Sequence, residues 1–227
     1  MISTLLEKHV IEPVPAGQAS FYNIVFLRLK PNGSWRLILD VSRFNDFLVA
    51  KKITMDTSQV IHNNVFAGSW VTSIDFSDAF HHLPIHPHYR RFLAFHVGGR
   101  DFQYCAYPFE LSPISQVFTE LCTPVKVFVR HRWECLVFQY IDDWLFASAD
   151  AMMTSRVTHF FIRLCVQLGL TINLAKSHLI PTQHICHLGV QWDLRLALVR
   201  PPDEKLDDVI RHKSSTLLGS QSPSLRR

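Results

Sequence analysis

Two adjacent aspartates, Asp142 and Asp143, interrupt one of the most apolar stretches of the chain. Large apolar side chains dominate residues 136–141 before the pair and 144–147 after it. Repulsion between neighbouring carboxylates, together with their desolvation, is costly unless a cation offsets both charges. The same pair also suits a solvated hairpin turn, because Asp is a common turn residue. The two aspartates are therefore either cation ligands or turn residues.

A third carboxylate, Asp75, lies in the apolar segment 71–76, and strands placed side by side would bring it to Asp142 and Asp143. Carboxylate and phosphate oxygens are the ligands that Mg²⁺ prefers. Two such ions about 4 Å apart activate an attacking 3′-hydroxyl and stabilise a leaving pyrophosphate. Asp75 and Asp142 would then bridge the ions, with Asp143 as a third or auxiliary ligand. This arrangement predicts nucleotidyl transfer that depends on two Mg²⁺ or Mn²⁺ ions.

At these residues the sequence resembles the reverse transcriptases, the RNA-directed DNA polymerases of retroelements. Tyr140-Ile141-Asp142-Asp143 is similar to their YxDD box, and residues 73–80 are similar to their first palm motif. Residues 86–93 and 142–145 are most similar to the polymerases of DIRS-like retrotransposons, with gypsy-like elements next. The other matching segments are Lys30, Trp35-Arg36, Pro108-Phe109, Leu168-Gly169-Leu170, Lys176-Ser177 and His187-Leu188-Gly189.

The resemblance implies an α+β right-hand polymerase fold. Its palm would be an antiparallel sheet backed by helices, with a fingers subdomain and with the thumb largely absent. The catalytic residues would be Asp75, Asp142 and Asp143, and Phe76 would join these three as a metal ligand. The domain boundaries expected are an N-terminal extension over 1–20, fingers and palm over 21–193, and a truncated, frayed tail over 194–227. Within the second unit, the fingers hairpin would span about 21–40 and the palm motifs about 69–193.

Five residues would bind the incoming nucleotide by this resemblance. Arg36 and Lys30 would contact the triphosphate, where fixed positive charge stabilises the transferring phosphoryl group. Phe80 would be the steric gate that rejects a ribose 2′-hydroxyl, and Phe109 would line the pocket. Lys176 would assist the departure of pyrophosphate as an acid. Each has a plainer explanation too: solvated loops for the cations and core packing for the phenylalanines.

The resemblance also implies binding partners and domains that this chain lacks. His187, Leu188 and Gly189 would form part of the primer grip, where the plainer alternative is an ordinary strand. The partners would be an RNA or DNA template-primer, dNTPs and other parts of a retroelement polyprotein. Too few residues follow Pro202 for a full thumb or an RNase H domain, so weak binding of the hybrid is expected, because this affinity depends largely on backbone charge contacts.

The second palm motif departs from the family pattern. Relatives have Pro-Phe-Gly-Leu followed two residues later by Ala-Pro, whereas this chain has Glu110 in place of the Gly and Ile114-Ser115 in place of Ala-Pro. A glycine allows close backbone approach to a nucleotide, while Glu110 brings a side chain and a negative charge towards the triphosphate. The departure raises a second hypothesis, a catalytically inactive nucleic-acid-binding remnant. A third, an unrelated metal-dependent phosphodiesterase, would need more ligands near Asp75 than Asp78 alone.

Periodicity and turn signals predict the elements that must position these residues. Strands and helices alternate without a regular βαβ repeat, and neither GxGxxG nor GxxxxGK[ST] occurs. The predicted elements are a hairpin (21–29 and 35–39 around the turn 31–33), a helix (56–67), a strand (70–76), a hairpin (92–97 and 102–107 around Gly98-Gly99), a helix with a kink at Pro124 (112–132), two strands (134–140 and 144–147), a helix ended by Gly169 (151–168) and a strand (184–192).

Composition and charge restrict the class of protein. The 227 residues are 48% hydrophobic and 19% charged, with a formal net charge of +4, which excludes an intrinsically disordered chain. Between Arg28 and Lys52, six basic residues outnumber two acidic ones; such a cluster suits a polyanion or is simply a solvated face.

Four crowded histidines lack the spacing of a zinc site, so contact with a nucleic-acid backbone or solvent is the better expectation. These are His81, His82, His86 and His88.

The five cysteines contain no CxxC pair, which argues against a disulfide framework. The amino terminus lacks the pattern of a signal peptide. No uncharged apolar run reaches the ~18 residues of a membrane span. The sequence therefore predicts a soluble, intracellular protein of the cytoplasm or nucleus, with no membrane partner.

Overall fold

A computed structural model describes residues 1–15, 17–30 and 33–202 of the chain. These residues form six helices, one 3₁₀ turn (Ala79–His82) and twelve strands. The helices are α1 (Ile2–Glu7), α2 (Ser42–Asn45), α3 (Ser58–Asn64), α4 (Pro87–Arg90), α5 (Ile114–Arg132) and α6 (Ala151–Gln167). The strands are β1 (Ile11–Pro13), β2 (Ile24–Leu29), β3 (Trp35–Asp40), β4 (Trp70–Asp75), β5 (Ala94–Val97), β6 (Arg100–Tyr104), β7 (Leu136–Tyr140), β8 (Asp143–Ser148), β9 (His178–Thr182), β10 (His184–His187), β11 (Val190–Asp193) and β12 (Leu198–Arg200).

A four-stranded sheet in the order β7-β8-β4-β9 carries the acidic motifs. All three of its strand pairs are antiparallel. Strand β8 is buried from Trp144 onwards, which explains why its sequence is apolar without alternation. The predicted strands on both sides of Asp142-Asp143 are therefore confirmed, and they occupy neighbouring positions in one sheet.

Helices α5 and α6 pack against this sheet and form the largest apolar core of the described residues. The rings of Trp144 and Phe161 have centroids 4.6 Å apart, and both side chains are fully buried. Buried hydroxyls of Thr72 and Thr158 lie 2.6 Å apart and connect α6 to β4. An aromatic pair such as Trp144 and Phe161 contributes about 0.5–1.5 kcal/mol of stability beyond the effect of its buried area. The helix-backed antiparallel sheet is the predicted palm.

Two smaller sheets accompany the palm, and one of them is the hairpin that the sequence assigns to the fingers over about 21–40. β2 and β3 make the predicted hairpin, and β5 and β6 pair around Gly98 and Gly99, which both take positive φ angles as the turn requires. β1 adds to the outer edge of β6. Val10 and Ile11 are each only 2% exposed. The predicted N-terminal extension thus contributes to the same apolar core as β3, β5 and β6.

The segment 184–192 is a hairpin, and the prediction of a single strand there is wrong. β10 and β11 pair with each other, and β12 adds to β11. Leu188 and Gly189 both take left-handed backbone angles, with φ of 51° and 68°, so the chain reverses in two residues. Of the predicted C-terminal tail, residues 203–227 lie outside the described residues.

The predicted helix over 56–67 is shorter, because only Ser58–Asn64 is helical. In the loop before it, the Asp56 carboxylate accepts hydrogen bonds from the backbone N–H of Gln139 (2.9 Å) and from the Lys126 ammonium (3.2 Å). These bonds connect the loop to β7 and α5. α5 continues through Pro124, where the sequence predicts a kink. Among the described helices, none combines the length and apolarity needed to cross a lipid bilayer.

Candidate active site

The ends of two neighbouring strands bring the three acidic residues together. Asp75 at the end of β4 is paired directly with Asp143 at the start of β8. Asp142 lies in the two-residue turn between β7 and β8. The N–H of Phe76 donates to the carbonyl of Asp142 (3.3 Å), which ties this turn to the end of β4. The convergence that the apolar flanks of these acids predict is therefore present in the fold.

The turn that carries Asp142 has an unusual backbone. Ile141 takes a φ of 55°, a conformation that is a genuine outlier for a β-branched residue. Such residues cost of order 1–3 kcal/mol and cluster at functional sites, where the surrounding structure holds them in place. Here the pairing of Tyr140 with Asp143 closes the turn on both sides. The strained residue thus lies directly between the YxDD tyrosine and the two aspartates.

The electrostatics of the three carboxyls are unfavourable in the absence of a cation. Burial, together with the charges of Asp142 and Asp75, raises the pKa of Asp143 to about 6. Burial also raises the pKa of Asp142, with Asp75 adding to the effect, and burial raises that of Asp75. Like charges that share a partly desolvated site disfavour the ionised forms. A cation bound among them would reverse this effect.

The chemistry of these donors fits a hard divalent cation. Mg²⁺ is commonly held by one or two carboxylates and substrate phosphates rather than by a closed protein cage. The described residues contain no group of three or more His, Cys, Asp or Glu side chains arranged to enclose a metal ion. The carboxylates of Asp75, Asp142 and Asp143 are the residues that would hold such ions, with Phe76 beside them.

A loop before β9 supports Asp75 from the other side. The N–H of Asn173 donates to the carbonyl of Asp75 (2.8 Å), and the Asp75 N–H donates to the hydroxyl of Ser177 (3.1 Å). The Lys176 ammonium lies 3.9 Å from the Asp75 carboxylate, and its side chain is 70% exposed. Lys176 is therefore beside the acidic cluster and accessible to a ligand there.

The predicted nucleotide-binding side chains on the fingers side also come together. The Arg36 guanidinium lies 4.4 Å from the centroid of the Phe109 ring, and that ring lies 5.0 Å from the ring of Phe80. Lys30, Arg36 and Phe109 line a cavity of about 270 Å³. Phe80 is 8% exposed and packs in the core. Burial raises the pKa of Asp142, and the positive charge of Arg36 partly opposes that rise. The cavity and the acidic cluster therefore interact electrostatically.

Glu110 lies in the wall of the same cavity. Burial raises the pKa of its carboxyl, whereas hydrogen bonds from its own backbone N–H and from that of Leu39, together with the charge of Arg36, oppose the rise. Its backbone carbonyl accepts a hydrogen bond from the Asn45 side chain (2.8 Å). The negative charge that departs from the family pattern is therefore present at the cavity, and backbone amides and Arg36 compensate part of it.

The predicted primer-grip residues form a separate hairpin turn. His187 is buried, and burial lowers the pKa of its imidazole to about 4. Its carbonyl accepts the indole N–H of Trp192 (3.2 Å). Leu188 and Gly189 form the turn itself. Leu188 packs against a small apolar cluster that includes Val71 and Leu145.

Residues 28–192 match the family described as reverse transcriptase (RNA-dependent DNA polymerase). The chain belongs to the reverse transcriptase family. Protein P of Duck hepatitis B virus, strain United States/DHBV-16, is 29% identical over 164 residues, which are 70% of this chain and 19% of that protein. The Pol polyprotein of the transposon gypsy from Drosophila melanogaster is 24% identical over 119 residues, 52% of this chain and 11% of the polyprotein. This reverse transcriptase chain thus spans a fifth or less of these two relatives.

Solved structures of a foamy viral protease-reverse transcriptase have the same fold. One in complex with dsDNA aligns with a TM-score of 0.77 at 20% identity, over 92% of this chain and 41% of that one. Another, in complex with an RNA/DNA hybrid, aligns with a TM-score of 0.73 at 18% identity, over 92% and 27%. The predicted α+β palm-and-fingers fold is confirmed. The expected gypsy-like relative is found, and the DIRS-like subtype stays a prediction.

Sequence reasoning missed Lys8 and its pairing with Asp78 at the cavity of this reverse transcriptase. Lys8 follows α1, and its ammonium lies 2.6 Å from the carboxylate of Asp78. Both side chains line the cavity together with His81, whose ring packs 5.7 Å from that of Phe109. Seventy residues separate Lys8 from Asp78, and no local pattern indicates such a pair.

Proposed function

We propose that this chain is the RNA-directed DNA polymerase domain of a retrotransposon and adds dNTPs to a primer 3′-hydroxyl by nucleotidyl transfer with two divalent ions. The observation that carries the proposal is the pairing of Asp75 directly opposite Asp143, with Asp142 in the adjoining turn. Bound Mg²⁺ or Mn²⁺ would activate the hydroxyl and stabilise the leaving pyrophosphate. Asp75, Asp142 and Asp143 would hold the ions, with Phe76 as the neighbouring ligand.

The side chains of the fingers and palm would bind and orient the nucleotide. Arg36 and Lys30 would hold the triphosphate, because both line the same cavity and the charge of Arg36 acts on Asp142. Phe109 would form the pocket wall that Arg36 stacks on. Phe80, held against Phe109, would exclude a ribose 2′-hydroxyl. Lys176, which is exposed beside Asp75, would donate a proton to the departing pyrophosphate.

The template-primer would be the macromolecular partner. The foamy viral relatives of this fold are described in complexes with dsDNA and with an RNA/DNA hybrid, which supports a duplex ligand for this chain as well. The turn formed by His187, Leu188 and Gly189 would contact the primer strand. The similarity of residues 86–93 and 142–145 to DIRS-like polymerases supports an origin in that class of element, within a polyprotein.

Primer extension tests this function directly. The full chain, an oligo(dT) primer on poly(rA), dTTP and Mg²⁺ or Mn²⁺ should give extended primer, and the paired change Asp142→Asn, Asp143→Asn should abolish it. Asp46→Asn, which removes an exposed carboxylate at the end of α2, is the matched control and should extend normally. Extension that survives loss of both aspartates would refute the assignment.

Glu110 determines how a negative result is read. If the natural chain does not extend the primer and Glu110→Gly does, the chain is a silent copy of a polymerase domain. If neither protein extends it with either ion, the polymerase proposal fails.

A further inference from the structure

The amino-terminal segment supplies one wall of the cavity that contains Arg36 and Phe109. Lys8 lines this cavity of about 270 Å³ together with Lys30 and Arg36. Lys8 lies outside residues 28–192, the part of the chain that matches the reverse transcriptase family. Three cations therefore meet at one cavity, and one of them comes from outside the matched domain.

The backbone holds Lys8 in a defined position. α1 ends at Glu7, and His9 takes a left-handed φ of 54°, so the chain turns sharply at Lys8. The carbonyl of Val10 then accepts the N–H of Cys105 (2.8 Å), and β1 pairs with β6 from Ile11 onwards. Because β6 is the middle strand of the sheet β1-β6-β5, the chain is held by α1 on one side of Lys8 and by this sheet on the other.

The Lys8 ammonium is paired but still accessible. It lies 2.6 Å from the Asp78 carboxylate, and the two side chains are 51% and 39% exposed. An ammonium has three N–H donors, so one hydrogen bond to Asp78 leaves donors for a second anion. Asp78 in turn holds the 3₁₀ turn that carries Phe80, since its carbonyl accepts the N–H of His81 (2.8 Å).

We propose that Lys8 is a triphosphate-binding residue of this domain, sharing its ammonium between Asp78 and the phosphate oxygens of the incoming nucleotide. The inference rests on the proposed function, because the ligand is the substrate of that reaction. Lys8, Lys30 and Arg36 present three positive charges, against Asp78 and Glu110 in the same cavity wall. A polyphosphate is the class of ligand that such a net positive cavity concentrates. Lys8 would thus add a contact from outside the matched region.

Isothermal titration calorimetry on the full chain tests this inference without any requirement for catalysis. The ligands are dTTP with Mg²⁺ and inorganic tripolyphosphate with Mg²⁺. Lys8→Ala should weaken both by about tenfold, as expected for loss of one hydrogen bond to a charged group. Lys8→Arg should stay within about twofold of the natural chain. Arg163→Ala, on the exposed face of α6, is the control and should bind normally.

A change at Asp78 separates direct contact from a positioning role. If Lys8 touches phosphate, Asp78→Asn removes a competing anion and leaves binding unchanged or tighter. If Lys8 only positions the turn before Phe80, Asp78→Asn weakens binding as much as Lys8→Ala does, and the inference is wrong. Equal melting temperatures of the variants exclude loss of folding as the cause of weaker binding.

The remaining outcomes also decide the question. Binding by Lys8→Ala that equals that of the natural chain, or no binding of either ligand by the natural chain, overturns the inference. Primer extension is scored separately. Extension together with Lys8-independent binding refutes the inference alone, whereas Lys8-dependent binding without extension by the natural chain or by Glu110→Gly refutes the polymerase activity and leaves the binding site in place.

Discussion

Replacing Asp143 by Asn should stabilise the protein in the absence of divalent ions. Burial and the neighbouring carboxylates raise the pKa of Asp143 from the ordinary 3.8 to about 6. At 1.36 kcal/mol for each pH unit, this difference corresponds to at most about 3 kcal/mol. Because the carboxyl is partly exposed, solvent screens the interaction, and we expect a gain of about 1–2 kcal/mol.

The gain must depend on pH in a defined direction. The folded state binds the Asp143 proton more tightly than the unfolded state does, so the free energy of unfolding falls as pH rises from about 4 to above 6. Asn cannot ionise, so the variant does not lose stability in this way as pH rises. The difference between Asp143→Asn and the natural chain should therefore be small at about pH 4 and complete at about pH 7.5.

Urea unfolding with EDTA at these two pH values measures the difference. Asp46→Asn, an exposed site at the end of α2, should show no pH-dependent gain. Added Mg²⁺ should stabilise the natural chain more than the variant, because a bound cation offsets the charge that Asn lacks. A variant that is equally stable or less stable at pH 7.5 would show that the three carboxyls do not repel one another as inferred.

Three further predictions concern other parts of the chain. Asp56→Ala leaves the ammonium of Lys126, which is only 14% exposed, without its carboxylate, and should lower the free energy of unfolding by about 2–4 kcal/mol in urea titrations; an unchanged midpoint would contradict this. Gly189→Ala forces a Cβ into a left-handed position and should cost about 1–2 kcal/mol in the same assay, whereas Gly189→Asn should cost less. Phe80→Ala should raise incorporation of ribonucleotides relative to deoxynucleotides in single-nucleotide extension, and an unchanged ratio would exclude Phe80 as the gate.

Much of the site could be predicted from the sequence, because its acidic residues lie within apolar runs. Asp142 and Asp143 stand out against apolar neighbours, and Asp75 ends a similar run, so their convergence follows from the pairing of the two strands. Gly98 and Gly99 likewise indicated a turn that the structure has. In each case the residues that decide the structure lie within a few positions of one another.

The missed features depend on contacts between distant segments. β9 pairs with β4 through a register shift between Val71 and Ser73, and periodicity cannot anticipate an irregular pairing. The reversal at Leu188 requires a left-handed leucine, which is not a common turn signal. The pairing of Lys8 with Asp78 joins residues seventy positions apart. None of these three features can be predicted from a short stretch of neighbouring residues.

Backbone strain and repulsion between carboxyl groups occur together at the site of the proposed chemistry. Ile141 and Asp78 are both non-glycine residues with positive φ, and each lies within a few residues of an acid or of the proposed gate. The carboxyls beside Ile141 repel one another, and burial disfavours their ionised forms. The adjacent core of Trp144 and Phe161, both fully buried, supplies the packing that keeps the strained turn closed. Because bound cations would offset these negative charges, their binding should stabilise this edge of the sheet.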